Sequence, residues 1–136
     1  KKNTFNTNTQ FNIIMNAFKN KVQLIGNLGM NPEVKSLENG KKVAKFTLAT
    51  NEIYKNQNGE RVTDTQWHNV VAWGKTAELM EQLLTKGKEV MLEGKLTNRS
   101  WDDKDGNKRY ITEIVANEFM LMSAKEGTKK GGDLPF

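Results

Sequence analysis

Two kinds of residue in this chain are spaced for chemistry. Trp67 and Trp73 stand six residues apart in one extended run, and Lys95, Arg99 and Trp101 recur at odd positions in another. Strand side chains alternate faces with period two, so each set points one way, and the two indoles lie about 20 Å apart at about 3.3 Å per residue. The opposite positions, His68, Val70 and Ala72 in the first run and Val90, Leu92 and Leu96 in the second, suit a packed interior. An indole face stacks on flat unsaturated rings, and a cation beside it neutralises an anion. The competing use of a tryptophan in a small β-domain is core packing. Two strands with the same segregation favour an exposed platform, provided the register is right by one residue.

Other chemistries fail on inventory. Cysteine is absent, which removes disulfides, thiol catalysis and thiolate-held metals. With His68 as the sole histidine, neither a His–His zinc pair nor a supported serine triad through Ser36, Ser100 or Ser123 can be built. Asp103-Lys-Asp105-Gly-Asn107 opens like a calcium loop, but Lys108 and Ile114 occupy the positions that need glycine and a bidentate glutamate. Gly26 and Gly29 precede no phosphate-loop lysine. Glu89 and Glu93 read as alternating charge on an exposed strand. Binding without catalysis, metal or cofactor is the expectation.

The elements that must hold these residues follow from periodicity and turns. Lys21–Asn27 alternates and stops at Gly26-Asn-Leu-Gly29; Val43–Ile53 alternates after Asn39-Gly40; Asn58-Gly59 marks a tight reversal into Asp64–Trp73. Thr76, Leu79, Met80, Leu83 and Leu84 switch to helical spacing, predicting a short helix over Lys75–Leu84 with Gly87 at its left-handed end. Strands over Glu89–Arg99 and Arg109–Leu121 flank an Asp105-Gly106 turn. Five antiparallel strands with one short helix between the third and fourth is the element order of an OB-fold, an all-β five-stranded barrel.

At 136 residues the chain is about one domain. Residues 1–15, rich in Asn and Thr, read as a disordered N-terminal extension or appended leader, with Met15 a plausible natural start. Residues 16–122 form the folded domain, and 123–136 a flexible tail with an apolar tip. The net charge is +5, but residues 16–122 are nearly balanced, so a polyanion site requires segregated charge rather than a large total. No apolar run is long enough to span a membrane. Interleaved aromatic and basic side chains suit unstacked single strands, whose bases all offer a π-face. The one helix, with Glu78 and Glu81, makes a poor duplex reader. A protein-interaction adaptor built on the same barrel and an RNA-binding module stay open on the residues alone.

Asn20–Gly29, Asn31-Pro-Glu-Val34, Phe46–Thr50, Trp67-His-Asn-Val-Val-Ala-Trp-Gly-Lys75, Lys86-Gly87, Glu93–Leu96, Trp101 and Arg109–Glu113 come in an order and spacing that resembles the bacterial single-stranded DNA-binding proteins. The resemblance covers roughly residues 16–122, together with the terminal Pro135-Phe136. It implies a cytoplasmic, nucleoid-associated homotetramer of OB-folds that coats single-stranded DNA in replication, recombination and repair and has no catalytic activity. Its stacking positions fall on Tyr54, Trp67, Trp73 and Trp101, with Tyr54 where tryptophan is usual and Trp73 where phenylalanine is usual. Its basic positions fall on Lys21, Lys75, Lys86 and Arg99; Lys95, and less strongly Lys45, come from strand parity. His68 and Tyr110 fall at positions associated with subunit contacts. The tip, Asp133-Leu134-Pro135-Phe136, matches the family's means of recruiting replication and repair proteins by carboxylate capture. Here only one acid precedes the tip, Lys129 and Lys130 lie close, and the long linker is missing.

Overall fold

The computed structural model describes residues 7–122. The elements run α1 (Thr7–Lys19), β1 (Val22–Leu28), β2 (Glu33–Ser36), β3 (Lys42–Lys55), β4 (Arg61–Trp73), α2 (Gly74–Leu83), β5 (Glu89–Asp102) and β6 (Lys108–Leu121). Five of the strands close a barrel: β1 pairs with β5, β5 with β6, β6 with β4, β4 with β3, and β3 returns to β1 through Asn27↔Ala49 and Leu28↔Leu48. At that seam a Cβ on Gly26 would run into the Ala49 carbonyl, so only glycine lets β1 cross so close to β3. β2 lies outside the barrel as an edge on β3. The expected all-β OB-fold with one short helix between its third and fourth barrel strands is the fold observed.

The core follows the alternation. Leu28, Ala44, Phe46, Leu48, Val70, Ala72, Val90, Leu92, Ile114 and Ala116 are buried together inside the barrel. Helix α2 covers it with Ala77, Met80 and, just past its end, Leu84. Burying such side chains is worth about 1.5–3 kcal/mol each for the larger ones.

Several expectations need correcting. The stretch read as disordered up to residue 15 is helical from Thr7 to Lys19. Phe11, Ile14, Met15 and Phe18 fall at i, i+3, i+4 and i+7 along it and remain exposed, so this stripe finds no buried seat among the described residues. The helix gives way at Asn20, whose side-chain amide mimics a peptide group: Nδ2 donates to the Leu96 carbonyl and Oδ1 accepts from the Leu96 N–H, both at 2.9 Å. The short strand β2 had no expectation. Not every pairing is antiparallel, since β4 and β6 run parallel through Val70↔Ile114 and Val71↔Val115. On α2 the buried face is Ala77 and Met80, while Leu79 and Leu83 stay exposed. Gly87 is left-handed (φ 91°) but lies beyond the helix, in the Thr85–Lys88 turn; Leu84, with ordinary φ, ends α2. The tail from residue 123, with the tip residues Asp133, Leu134, Pro135 and Phe136, lies outside the described residues. No described helix is long and apolar enough to cross a membrane.

Candidate nucleic-acid interface

The register of β3 against β4 decides which side chains share the outer face. Val43 opposes Trp73, Lys45 opposes Val71, Thr47 opposes Asn69 and Ala49 opposes Trp67, so Trp67 and Trp73 lie on one face, as their spacing predicts. The other face holds Phe46↔Val70 and Ala44↔Ala72 in the core, and beside them Leu48↔His68. Trp67 is 62% exposed and Trp73 48%, so neither indole is a core residue. Trp67 lies over Gly29: a Cβ there would sit 2.5 Å from the indole Cζ3 and 2.6 Å from Thr47 Oγ1.

Strands β5 and β6 bring the second set to the same side. Lys95, Thr97, Arg99 and Trp101 share a face with Val115, Glu113, Ile111 and Arg109, and β6 joins β4 beside Val71. The result is an open groove of about 570 Å³. Val43, Val71 and Val115 line it, with Trp73, Lys35, Lys45 and Arg99 around them and the carboxylates of Glu33 and Glu113 among them. A smaller cavity of about 200 Å³, lined by Met30, Thr47, Asn69 and Ile111 with Lys45 and Arg99, shares part of that wall. A groove lined by valines, an indole and cations can take a flat ring and its charged backbone together.

Charge within the site is partly spoken for. Arg99 Nε donates to Glu113 Oε1 at 3.0 Å and Nη2 to Oε2 at 3.2 Å, and its Cζ lies 5.3 Å from the Trp101 ring centroid. The Glu113 hydrogen bonds and charge hold the Arg99 guanidinium pKa above its usual value. Glu113 is 8% exposed and is the buried ionisable side chain among the described residues. Lys21 lies away from the groove and pairs with Glu93 at 3.1 Å, both exposed.

The expected site residues therefore separate. Trp73, Arg99 and Lys45 line the groove, and Trp101 joins it through Arg99. Trp67 stands on the same face beyond the main groove. Lys75 follows Trp73 in the first turn of α2, and Lys86 sits in the loop where its N–H bonds the Asn31 side chain at 2.8 Å. Lys95 is exposed on the β5 face opposite Val115. Tyr54 is not brought to this face: it opposes Val62 near the end of the long β3–β4 hairpin, on the other side from Trp67. His68 is half-buried, 3.0 Å from Thr50 Oγ1. Tyr110 is highly exposed opposite Ser100. Lys35, Glu33 and Glu113 were missed. The first two lie on the short β2, and Glu113 would have shown itself only as a carboxylate in phase with Arg99 across the β5–β6 turn. No group of three or more metal-ligating side chains occurs among the described residues.

A closed five-stranded barrel with a capping helix and an aromatic, basic groove on its outer face defines an oligonucleotide-binding type of domain. The chain belongs to the Single-strand binding protein family, whose model it matches over residues 19–122. It is 48% identical over 108 residues to "Single-stranded DNA-binding protein 1" of Chlorobaculum tepidum, a match covering 79% of this chain and 67% of that protein. With the Xylella fastidiosa protein of the same name it shares 40% identity over 118 residues, covering 86% and 87%. Among solved structures it is similar to the Plasmodium falciparum SSB complex with ssDNA, with a TM-score of 0.71 and 34% identity over 76% of this chain and 95% of that one.

Proposed function

We propose that this chain binds single-stranded DNA with little regard to sequence, stacking bases on Trp67, Trp73 and Trp101 and neutralising phosphates with lysines around the groove. The observation that carries the reading is the groove itself, whose wall combines Trp73, Val43, Val71 and Val115 with Lys35, Lys45 and Arg99. Bases have no common hydrogen-bonding edge but all have a π-face, so such a platform grips any sequence. Lys75, Lys86 and Lys95, all exposed, are read as further phosphate contacts outside the groove, and Lys21, away from it and paired with Glu93, as a more distant one. The names of the two bacterial relatives and of the solved complex support DNA as the strand.

From this binding follows a role in protecting single strands during replication, recombination and repair, in the cytoplasm and on the nucleoid, with no chemical step of its own. Assembly as a homotetramer, with His68 and Tyr110 at subunit contacts, and recruitment of partner enzymes through Asp133–Phe136 complete the reading. Fluorescence anisotropy with labelled oligo(dT) tests it. Trp67→Ala, Trp73→Ala and Trp101→Ala are each expected to weaken binding by about 1–3 kcal/mol. Unchanged affinity in all three folded variants would remove the stacking platform and leave an adaptor role.

A further inference from the structure

The groove contains an arrangement that base stacking does not require. Arg99 is clamped between two groups of the same face: the Glu113 carboxylate on β6, through a two-point contact at 3.0 and 3.2 Å, and the Trp101 ring at 5.3 Å. Glu113 is placed for this by the β5–β6 register, in which it opposes Thr97, one alternation from Arg99, and Thr97 Oγ1 donates to its carbonyl at 3.3 Å. A carboxylate is a costly group to bury in a site meant for polyphosphate, because it repels the ligand and must be desolvated. Its fork geometry with the guanidinium fixes both the position and the orientation of Arg99.

We propose that Glu113 is a positioning residue for single-strand binding: it holds Arg99 against Trp101 and cancels its charge, so that Arg99 enters the interface as an oriented, neutralised donor rather than as a phosphate counter-charge. Two of the five guanidinium N–H groups are used by Glu113, and the remaining three stay available to base or sugar acceptors. The guanidinium plane and the neighbouring indole then act as one platform. Net electrostatic attraction falls to the lysines, Lys35 and Lys45 foremost in the groove. This deepens the single-strand reading above and rests on it.

The salt dependence of binding separates this from a merely structural ion pair, because each phosphate neutralised on a single strand adds about 0.7 to the slope of log affinity against log salt. Oligo(dT) titrations over a salt series would compare wild type with Glu113→Gln and with the double variant Arg99→Gln/Glu113→Gln, each checked by circular dichroism. Glu113→Gln frees the Arg99 charge and is expected to steepen the slope by about 0.7, so that tenfold dilution of salt strengthens its binding about fivefold more than it does wild type. The double variant removes both charges and is expected to bind more weakly with the wild-type slope. It also removes both partners of the ion pair together, which keeps the test usable where Glu113→Gln alone fails to fold. A Glu113→Gln slope equal to wild type, or a double variant shallower by about 0.7, would overturn the proposal, the latter by making Arg99 an independent phosphate contact. A wild-type chain that ignores oligo(dT) would instead sink the single-strand reading beneath it.

Discussion

Gly29 shows how tightly one residue can constrain the site. Its N–H bonds the Thr47 carbonyl at 2.8 Å, and its missing side chain is the space into which the Trp67 ring edge fits. Gly29→Ala puts a methyl within 2.5 Å of that ring and within 2.6 Å of Thr47 Oγ1, so the indole must move. The expected outcome is a shifted tryptophan emission and weaker oligo(dT) binding with the barrel still folded; affinity and emission both unchanged would contradict the placement of Trp67. The indoles at 67 and 73 were legible as a pair because strand parity needs only their spacing. Tyr54 was assigned by resemblance alone, and the β3–β4 register places it, exposed, on the face opposite the two indoles. Glu113 escaped because an ion pair between strands depends on register across a hairpin, which spacing within one strand does not fix.

At the scale of elements, hairpins were the readable feature. Asn39-Gly40, Asn58-Gly59 and Asp105-Gly106 each bring their glycine to positive φ, between 80° and 86°, as tight reversals require. The β5–β6 turn is held further by Asp103, whose Oδ1 accepts the backbone N–H groups of Asn107 and Asp105 at 2.9 Å and whose Oδ2 accepts from Arg109 Nε at 2.8 Å. The Asn107 N–H foremost, then Arg109, keeps this carboxyl below its usual pKa. A depressed carboxylate pKa contributes stability that is present above the unfolded-state value and is lost as pH falls through the folded one. Protection of the amides at residues 103–107, read as exchange relative to the intrinsic rate at each pH, is therefore expected to fall on acidification below about pH 4, and Asp103→Asn should show that lower protection already at neutral pH; equal protection in the variant would contradict the role of the carboxylate. Strand β2 and helix α1 were not legible for opposite reasons. Four residues, Glu33–Ser36, are too short for alternation to register, and they pair only because β3 offers an edge. In α1 the weak helix formers Asn and Thr hid an i, i+3, i+4, i+7 stripe that is plain once Phe11, Ile14, Met15 and Phe18 are aligned.

For the whole molecule, a formal charge of +5 does little by itself, because residues 16–122 carry nearly balanced acids and bases. What matters is that the sheet gathers β2, β3, β4, β5 and β6 around one groove, so that Lys35, Lys45, Trp73 and Arg99, distant in sequence, line one surface. Removal of Leu134–Phe136 is expected to leave oligo(dT) affinity nearly unchanged while replication or repair enzymes cease to be captured from lysate; a large loss of DNA affinity would contradict that separation. The central claim is stacking coupled to phosphate neutralisation, and intrinsic tryptophan fluorescence during titration with unstructured oligo(dT) at two salt concentrations tests it most directly. Strong quenching is expected, with a midpoint that moves to higher oligonucleotide concentration as salt rises. A flat titration, or quenching indifferent to salt, on correctly folded protein would contradict it.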